Sequence, residues 1–544
     1  MSARLKQKSL ADKDVPAAAS KPQLADLIMA EGVSLHRGNQ LDKAEALYRA
    51  VLALDGSRAE AHYQLGAIYH VQNKLQEAMV SFREAVYAKS DFADAYANLG
   101  TVLKAQGMRD NAVIFYRQAL ALAPLNAQTH ANMGVVLNEL GRNEEAALAF
   151  RKAMVCAPDY EWSYVNYTAC LTEDSAHDES LQACRRVLTL NPALSLAHYN
   201  LGASYKALNR LDDSIASFRQ AVALRQDFGE AHFALGQMLL TRGDFAEGWR
   251  EYDWRWTLAE YGWLKNIHGD FKQPRWAGES LSGKTILVYA EQGLGDAIQY
   301  VRYLPRVVAQ AGKVVLAVHP PLKSLFAQIE GVEIVALDQV PLPAFDYHCP
   351  LLTLPMIFDT GADNIPADIP YLTADPEKAR RWRERIRGAG LRVGVVWAGN
   401  PTQKGDRLRS PGLKSMMPVF SVPGVDFVAL QMGPGRKDLE ANPLPSHVQD
   451  LGPEIGDFAD TAAIMSGLDL MISSCTAPLH LAGALGVPTW GAIPFAPHLL
   501  WQLERTDSPW YPSLRLYRQD TLGTDWSGAI GRMTADLAVL AKKR

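Results

Sequence analysis

Residues 93–134 read ADAYANLGTVLKAQGMRDNAVIFYRQALALAPLNAQTHANMG, and the spacing of their small and aromatic residues decides how the first half of the chain folds. Gly100 and Gly134 stand 34 residues apart, and the same step carries outward to Gly32, Gly66, Gly202 and Gly236, interrupted only by Thr168. Ala44, Ala78, Ala112 and Ala146 keep the same phase, followed by Tyr48, Phe82, Tyr116, Phe150 and Phe218, while Pro124, Pro158 and Pro192 close three units. Small residues let two helices approach, and the aromatic fills the remaining gap. Each proline ends a second helix, because it lacks an N–H and clashes with the preceding turn. A fixed period of this length is the signature of stacked helix–turn–helix repeats.

The pattern resembles the tetratricopeptide repeat, with about seven units over residues 25–262. Arrays of this kind offer a concave groove for proteins or peptides. Two residues before the glycine position stand Asn98, Asn132, Asn166 and Asn200. A row of carboxamides offers donors and acceptors that match an extended peptide backbone. It is similar to the asparagine ladder of O-GlcNAc transferase, which also joins repeats to a sugar-transfer domain; the bland reading is polar surface. The fifth repeat lacks its glycine and carries Glu173, Asp174, Asp178 and Glu179 in its turn. The array ends in Trp249, Tyr252, Trp254, Trp256, Tyr261 and Trp263, read as a docking face for the second half of the chain or, more sharply, as a carbohydrate-stacking platform.

At 544 residues, 48% hydrophobic and 21% charged, the chain calls for two or three cores of ordinary globular composition. A net charge of −4 argues against a general nucleic-acid binder. The five cysteines (Cys156, Cys170, Cys184, Cys349, Cys475) contain no CxxC pair, so no disulfide framework or zinc site is expected, and a reducing, cytoplasmic compartment fits. Residues 1–24 read as a disordered tail without a secretory signal, and no apolar run is long enough to span a bilayer.

Beyond Gly269 the period vanishes and strands begin, at 284–290, 314–318, 332–337, 391–397, 425–431, 468–473 and 488–493, with helical stretches between them. Alternation of this kind implies parallel sheets with crossover helices. The expected order is a linker at 263–282, a first α/β lobe at 283–390, a second at 391–520 and a C-terminal helix at 521–544, which a resemblance to GT-B enzymes would have cross back to brace the first lobe. Two such lobes suggest the GT-B arrangement of glycosyltransferases, though the pattern alone suits other two-lobed α/β proteins.

Three motifs narrow the choice. The first strand runs into Glu291-Gln292-Gly293-Leu294-Gly295-Asp296, at the strand end where open α/β sheets place ligands. In the second lobe Trp397-Ala398-Gly399-Asn400-Pro401 leads into a loop with Lys404, Arg407 and Arg409, cations suited to a diphosphate. Leu468–Gly486 breaks a buried strand at Ser473-Ser474-Cys475-Thr476 and opens a helix with Pro478, whose N-terminus would make an anion site.

Over roughly residues 283–520 these motifs resemble the bacterial heptosyltransferases and related domains fused to tetratricopeptide repeats. The resemblance implies a metal-independent glycosyltransferase. It makes Asp296 the base that deprotonates the acceptor, with helix capping as the alternative, and Lys404, Arg407 and Arg409 the partners of the donor phosphates. Gly293, Gly295, Asn400, Gln431, Thr476 and His480 would border the donor, Gln431 near its base or ribose. Position 475 departs from the family, which has aspartate where this chain has Cys475. Asp507–Pro512 and Arg515–Arg518 also match. Asp-Trp-Arg-Trp, expected just before them, is replaced by Pro497-His498-Leu499-Leu500-Trp501.

The leading expectation is transfer of a sugar from a nucleotide sugar to Ser or Thr of a protein captured by the repeats, flagellin being one acceptor suggested by similar architectures. A non-catalytic scaffold and a surface-glycan transferase are the other readings. No metal or further cofactor is expected.

Overall fold

The computed structural model describes residues 20–171, 177–259, 267–366, 368–403 and 405–543. Paired helices fill the first part, from Lys21–Arg37 and Leu41–Leu54 through Ala93–Ala105 and Arg109–Leu122 to Gly229–Arg242 and Phe245–Tyr252, about fourteen in all. The first helix begins inside the span expected to be a tail: Gln23 Oε1 accepts the Ser20 N–H at 2.9 Å and Pro22 sits in the first turn, where its missing N–H costs nothing.

The glycine grid has a steric cause. A Cβ on Gly32, Gly66, Gly100, Gly134 or Gly202 would lie 2.7 to 2.9 Å from the ring of Tyr48, Phe82, Tyr116, Phe150 or Phe218, always the aromatic sixteen residues on. At Gly236 the approach is closer still, and the obstacle is the backbone of Tyr252. The interrupted repeat obeys the same rule in reverse. Where Thr168 replaces glycine, the residue sixteen on is the small Cys184, and both are buried.

The second part contains two wholly parallel sheets. β1 (Thr285–Tyr289), β2 (Lys313–Val318), β3 (Val332–Ala336) and β4 (Tyr347–Pro350) form one, in the order β3-β2-β1-β4. β5 (Leu391–Val396), β6 (Val425–Ala429), β7 (Gln449–Asp450), β8 (Leu470–Ser474), β9 (Thr489–Ile493) and β10 (Leu514–Arg518) form the other, in the order β10-β9-β8-β5-β6-β7. Near-continuous burial along β1, β2, β5 and β8 reflects cover on both faces. No described helix is long and apolar enough to cross a membrane.

Two expectations about the joints need correction. Of the expected linker, residues 263–266 lie outside the described residues, and two of the rest join the edge of the first sheet: Arg275 bridges to His348 in β4, and the Trp276 N–H donates to His348 O at 2.8 Å, with Trp276 1% exposed. The C-terminal helix, Ser527–Lys542, does not brace the first sheet. Its Ala529, Ile530, Met533 and Leu537 pack with Val393, Phe427 and Trp397 in the core of the second.

The chain divides into two compact units, and the boundary falls within the repeats. One unit holds the described chain to Leu171 with Gln182–Pro192; the other holds His177–Leu181 and everything from Ala193 on, so the last two repeats belong with the sheets. The second unit is joined by specific contacts. Asn209 donates to Phe495 O, and Trp249 Nε1 donates to Thr360 O at 3.0 Å.

Candidate functional site

Within each sheet all strands run parallel, and the loops after β1, β5, β6, β8, β9 and β10 meet in one place. They line a cavity of about 970 Å³. This is where open α/β sheets place their ligands. Gly293, Gly295, Asp296, Asn400, Arg409, Gln431, Cys475, Thr476 and His480 all line it, so loops nearly two hundred residues apart in sequence meet in one place.

Asp296 sits in the first turn of the helix Leu294–Tyr300. Its Oδ2 accepts the Gly293 N–H at 3.1 Å, so it caps the turn while it borders the cavity. Burial pushes its carboxyl above the usual aspartate range, against the pull of His498, the Gly293 N–H and Arg409. A carboxylate held in that way is a stronger base than a solvated one.

Across the cavity, Thr476 precedes the helix Ala477–Ala484. No side chain caps this helix, and Thr476 Oγ1 turns back to Ser474 O at 3.3 Å. An open helix N-terminus facing a cavity attracts anions. His480 lies one turn in. Its Nδ1 pairs with the Tyr511 hydroxyl at 3.0 Å and its ring stacks on Trp501 with centroids 5.3 Å apart. Burial pushes its pKa down to about 3, so the ring is neutral near pH 7 and offers Nε2 as a hydrogen-bonding group.

Cys475 is explained by its neighbour. Its sulfur accepts the Trp501 Nε1–H at 3.0 Å and lies 8% exposed, with the thiol pushed up by burial. Trp501 ends the stretch Pro497–Trp501, so an indole donor meets a sulfur acceptor. The Asp-Trp-Arg-Trp tetrapeptide expected at that stretch lies elsewhere in the chain. It stands at Asp253-Trp254-Arg255-Trp256, at the end of the last repeat.

The basic loop is only partly placed at the cavity. Arg409 lines it, with Nε on Asp406 Oδ1 at 2.9 Å and a further bond to Gln403. Gly399 permits this, since a Cβ there would fall 2.9 Å from Thr476 Cγ2 and 3.0 Å from Arg409 Nη2. Arg407 is exposed and is not among the lining residues, and Lys404 lies outside the described residues. Asn400 Oδ1 accepts from the backbone and hydroxyl of Thr402, shaping the turn.

Gln431 borders the cavity, but its amide is engaged. Its Oε1 accepts the N–H groups of Trp397 and Ala398 at 3.1 and 2.9 Å, and its Nε2 donates to Ala398 O and Met432 O. The side chain joins two cavity loops. His498, in the stretch Pro497–Trp501, also lines the cavity, as do His319 and Asp457, which reading the sequence missed. Each of those two comes after or before a strand without a distinguishing neighbour, so no motif marked them.

In the repeats the four asparagines are half-buried. Asn98 Nδ2 donates to Tyr63 at 3.0 Å and Asn166 Nδ2 to Trp162 O at 2.8 Å. Asn98, Asn132 and Asn166 belong to the first unit and Asn200 to the second. Trp249 and Tyr252 are buried in the core of the second unit, Trp254 stacks on His232 at 3.9 Å, and Trp256 meets Tyr289 edge-on. These four rings are therefore packed as a docking face rather than held open as a sugar platform, while Tyr261 and Trp263 lie outside the described residues.

Models of the tetratricopeptide repeat match residues 29–97, 93–124 and 199–252. The first part of the chain is made of tetratricopeptide repeats. Protein FlbA of Caulobacter vibrioides is 29% identical over 335 residues, covering 55% of this chain and 53% of that protein. The chain thus spans about half the length of this curated relative. Among solved structures, YrrB, a TPR protein with an unusual peptide-binding site, is 20% identical, covering 34% of this chain and 95% of its own (TM-score 0.32). The pilF protein of Pseudomonas aeruginosa is 17% identical over 39% of this chain and 96% of its own (TM-score 0.36).

Proposed function

We propose that the second part of the chain is a GT-B-type glycosyltransferase and that the tetratricopeptide repeats hold its polypeptide acceptor. One observation carries the reading. Asp296, on the loop after β1, shares a cavity of about 970 Å³ with the open N-terminus of the helix Ala477–Ala484, on the loop after β8. The cavity volume falls at the upper end of the range of ordinary ligand sites, enough for a nucleotide sugar.

In this reading the diphosphate of the donor lies at the Thr476–Pro478 turn with Arg409 beside it. Asp296 takes the proton of a Ser or Thr hydroxyl as that oxygen attacks the anomeric carbon. The bond from that carbon to the diphosphate breaks, and the leaving charge is met by the helix N-terminus and the guanidinium. Neutral His480 supplies a hydrogen bond to the donor. The acceptor is a protein such as flagellin, and no metal is required.

A second reading, a binding scaffold that has lost catalysis, draws on Cys475, since a thiol accepts hydrogen bonds from sugar hydroxyls less well than a carboxylate. Sugar transfer by purified protein separates the two. Asp296→Asn should retain donor binding and lose on the order of 10²- to 10⁴-fold in turnover. Equal turnover in wild type and Asp296→Asn would sink the transferase mechanism.

A further inference from the structure

We infer that the end of the last repeat is a working part of the transferase: Arg255 and Tyr252 hold the loop Glu291–Asp296 in the conformation that turns Asp296 toward the cavity. The inference rests on the transferase reading and adds to it positioning residues supplied by the repeats.

Arg255 is fully buried. Its Nη2 donates to Glu291 Oε1 at 2.7 Å and to Thr353 Oγ1 at 2.9 Å, and its Nε reaches the same Glu291 oxygen at 3.2 Å. Its Nη1 donates to Asp253 Oδ1 at 3.1 Å, and Asp253 is held in turn by Arg275 Nη2 at 2.6 and 2.7 Å. One residue along the loop, Gln292 is bonded through its side chain to the Tyr252 hydroxyl at 3.0 Å and through its carbonyl to His319 at 2.7 Å. The next residue, Gly293, donates to Asp296. Three successive residues of the loop are therefore fixed, the first two by side chains of the last repeat and the third by the base itself.

A buried ion pair is a poor source of net stability, because desolvation offsets most of the attraction. It does enforce geometry. Burial pushes the Glu291 carboxyl up to about 7, against the pull of Arg255. Catalytic groups need such support, since a displacement of about 1 Å can cost roughly 100-fold in rate.

The test uses the full chain with Arg255→Lys, which keeps the charge and loses the planar fork, and Tyr252→Phe, which removes one hydroxyl. Amide hydrogen exchange of residues 291–297 reads the loop directly, UDP, GDP and CMP binding reads the other side of the cavity, and turnover with the donor sugar reads the outcome. Exchange in the loop should rise about tenfold. Turnover should fall roughly 10- to 100-fold, with nucleotide affinity and donor KM within about twofold of wild type. Unchanged exchange and turnover in both folded variants would overturn the inference. Should Arg255→Lys fail to fold, Tyr252→Phe alone decides it by the same readings. Because exchange needs no turnover, a wild type inactive with every donor would end the transferase reading separately, and the loop measurement would still judge the clamp.

Discussion

Gly295 stands directly against His480: a Cβ at position 295 would come within 2.9 Å of His480 Cδ2 and 3.4 Å of Ala477 Cα. The helix after β1 and the helix after β8 therefore meet at a residue that has no side chain. His480 cannot swing aside, since Tyr511 holds its Nδ1 and Trp501 covers its face. Gly295→Ala should cost about 1–3 kcal/mol, the usual range for an overpacked site. It should also weaken nucleotide binding, because the open helix N-terminus must shift. Urea unfolding and nucleotide titration on the same variant check both; wild-type values in each would show that the contact yields freely.

His480 also gives the protein an acid-sensitive element. Its pKa is about 3 in the fold, below the value of about 6.5 in an unfolded chain. Below pH 6.5 the unfolded state therefore binds a proton that the folded state refuses. The contribution of His480 is complete above about pH 6.5 and is lost as pH falls toward 3, at up to about 1.4 kcal/mol per pH unit. Glu291, raised to about 7, acts in the opposite sense, its contribution being lost as pH rises through 7. The difference between wild type and His480→Gln isolates the histidine: wild type should lose more stability than the variant between pH 7 and pH 5. Parallel losses would contradict a neutral buried ring.

The repeat columns make a paired expectation. Gly134→Ala drives a methyl to within 2.8 Å of the Phe150 ring and should destabilise the first unit by about 1–3 kcal/mol. Thr168→Gly should bring no gain, because Cys184 already leaves room where the other repeats have an aromatic. A stabilising Thr168→Gly, measured by thermal unfolding, would show that the two positions are not matched.

Cys475 and Trp501 make a hydrogen bond whose contribution can be measured. Cys475→Ser preserves an acceptor for the buried indole N–H and should stay near wild type. Cys475→Ala leaves that N–H unpaired and should cost about 1–3 kcal/mol. Equal stability in the two variants would show that the hydrogen bond contributes nothing.

Much of this architecture is legible in the sequence because its causes are local and periodic. Gly32 to Gly236 keep one spacing because each packs its helix against an aromatic or, at Gly236, the backbone a fixed distance away. The strand ends at Glu291, Trp397 and Ser473 carry the glycines and prolines that loop chemistry requires. The features that escape depend on long-range partners. In the sequence Arg255 is one polar residue among tryptophans, and only the fold shows Glu291 beside it. Trp510 gives no sign that it stands edge-on to Trp249 at 6.4 Å and accepts Arg302 Nη1 at its carbonyl at 2.9 Å. The C-terminal helix is expected on the wrong sheet because that expectation comes from a resemblance to GT-B enzymes, while the helix's own pattern says that it packs without saying against what. Gln431 reads as a ligand contact because its place beside the cavity is clear from the sequence while its four backbone partners are not.

Binding of nucleotide sugars to the purified chain, followed by thermal unfolding, tests the central claim most directly. One nucleotide class should stabilise the wild type by roughly 2.7 kcal/mol at a hundred times its Kd. Asp296→Asn should respond equally, and Arg409→Ala should respond much less. No shift with any nucleotide or nucleotide sugar, or an equal shift in Arg409→Ala, would contradict a donor site in this cavity.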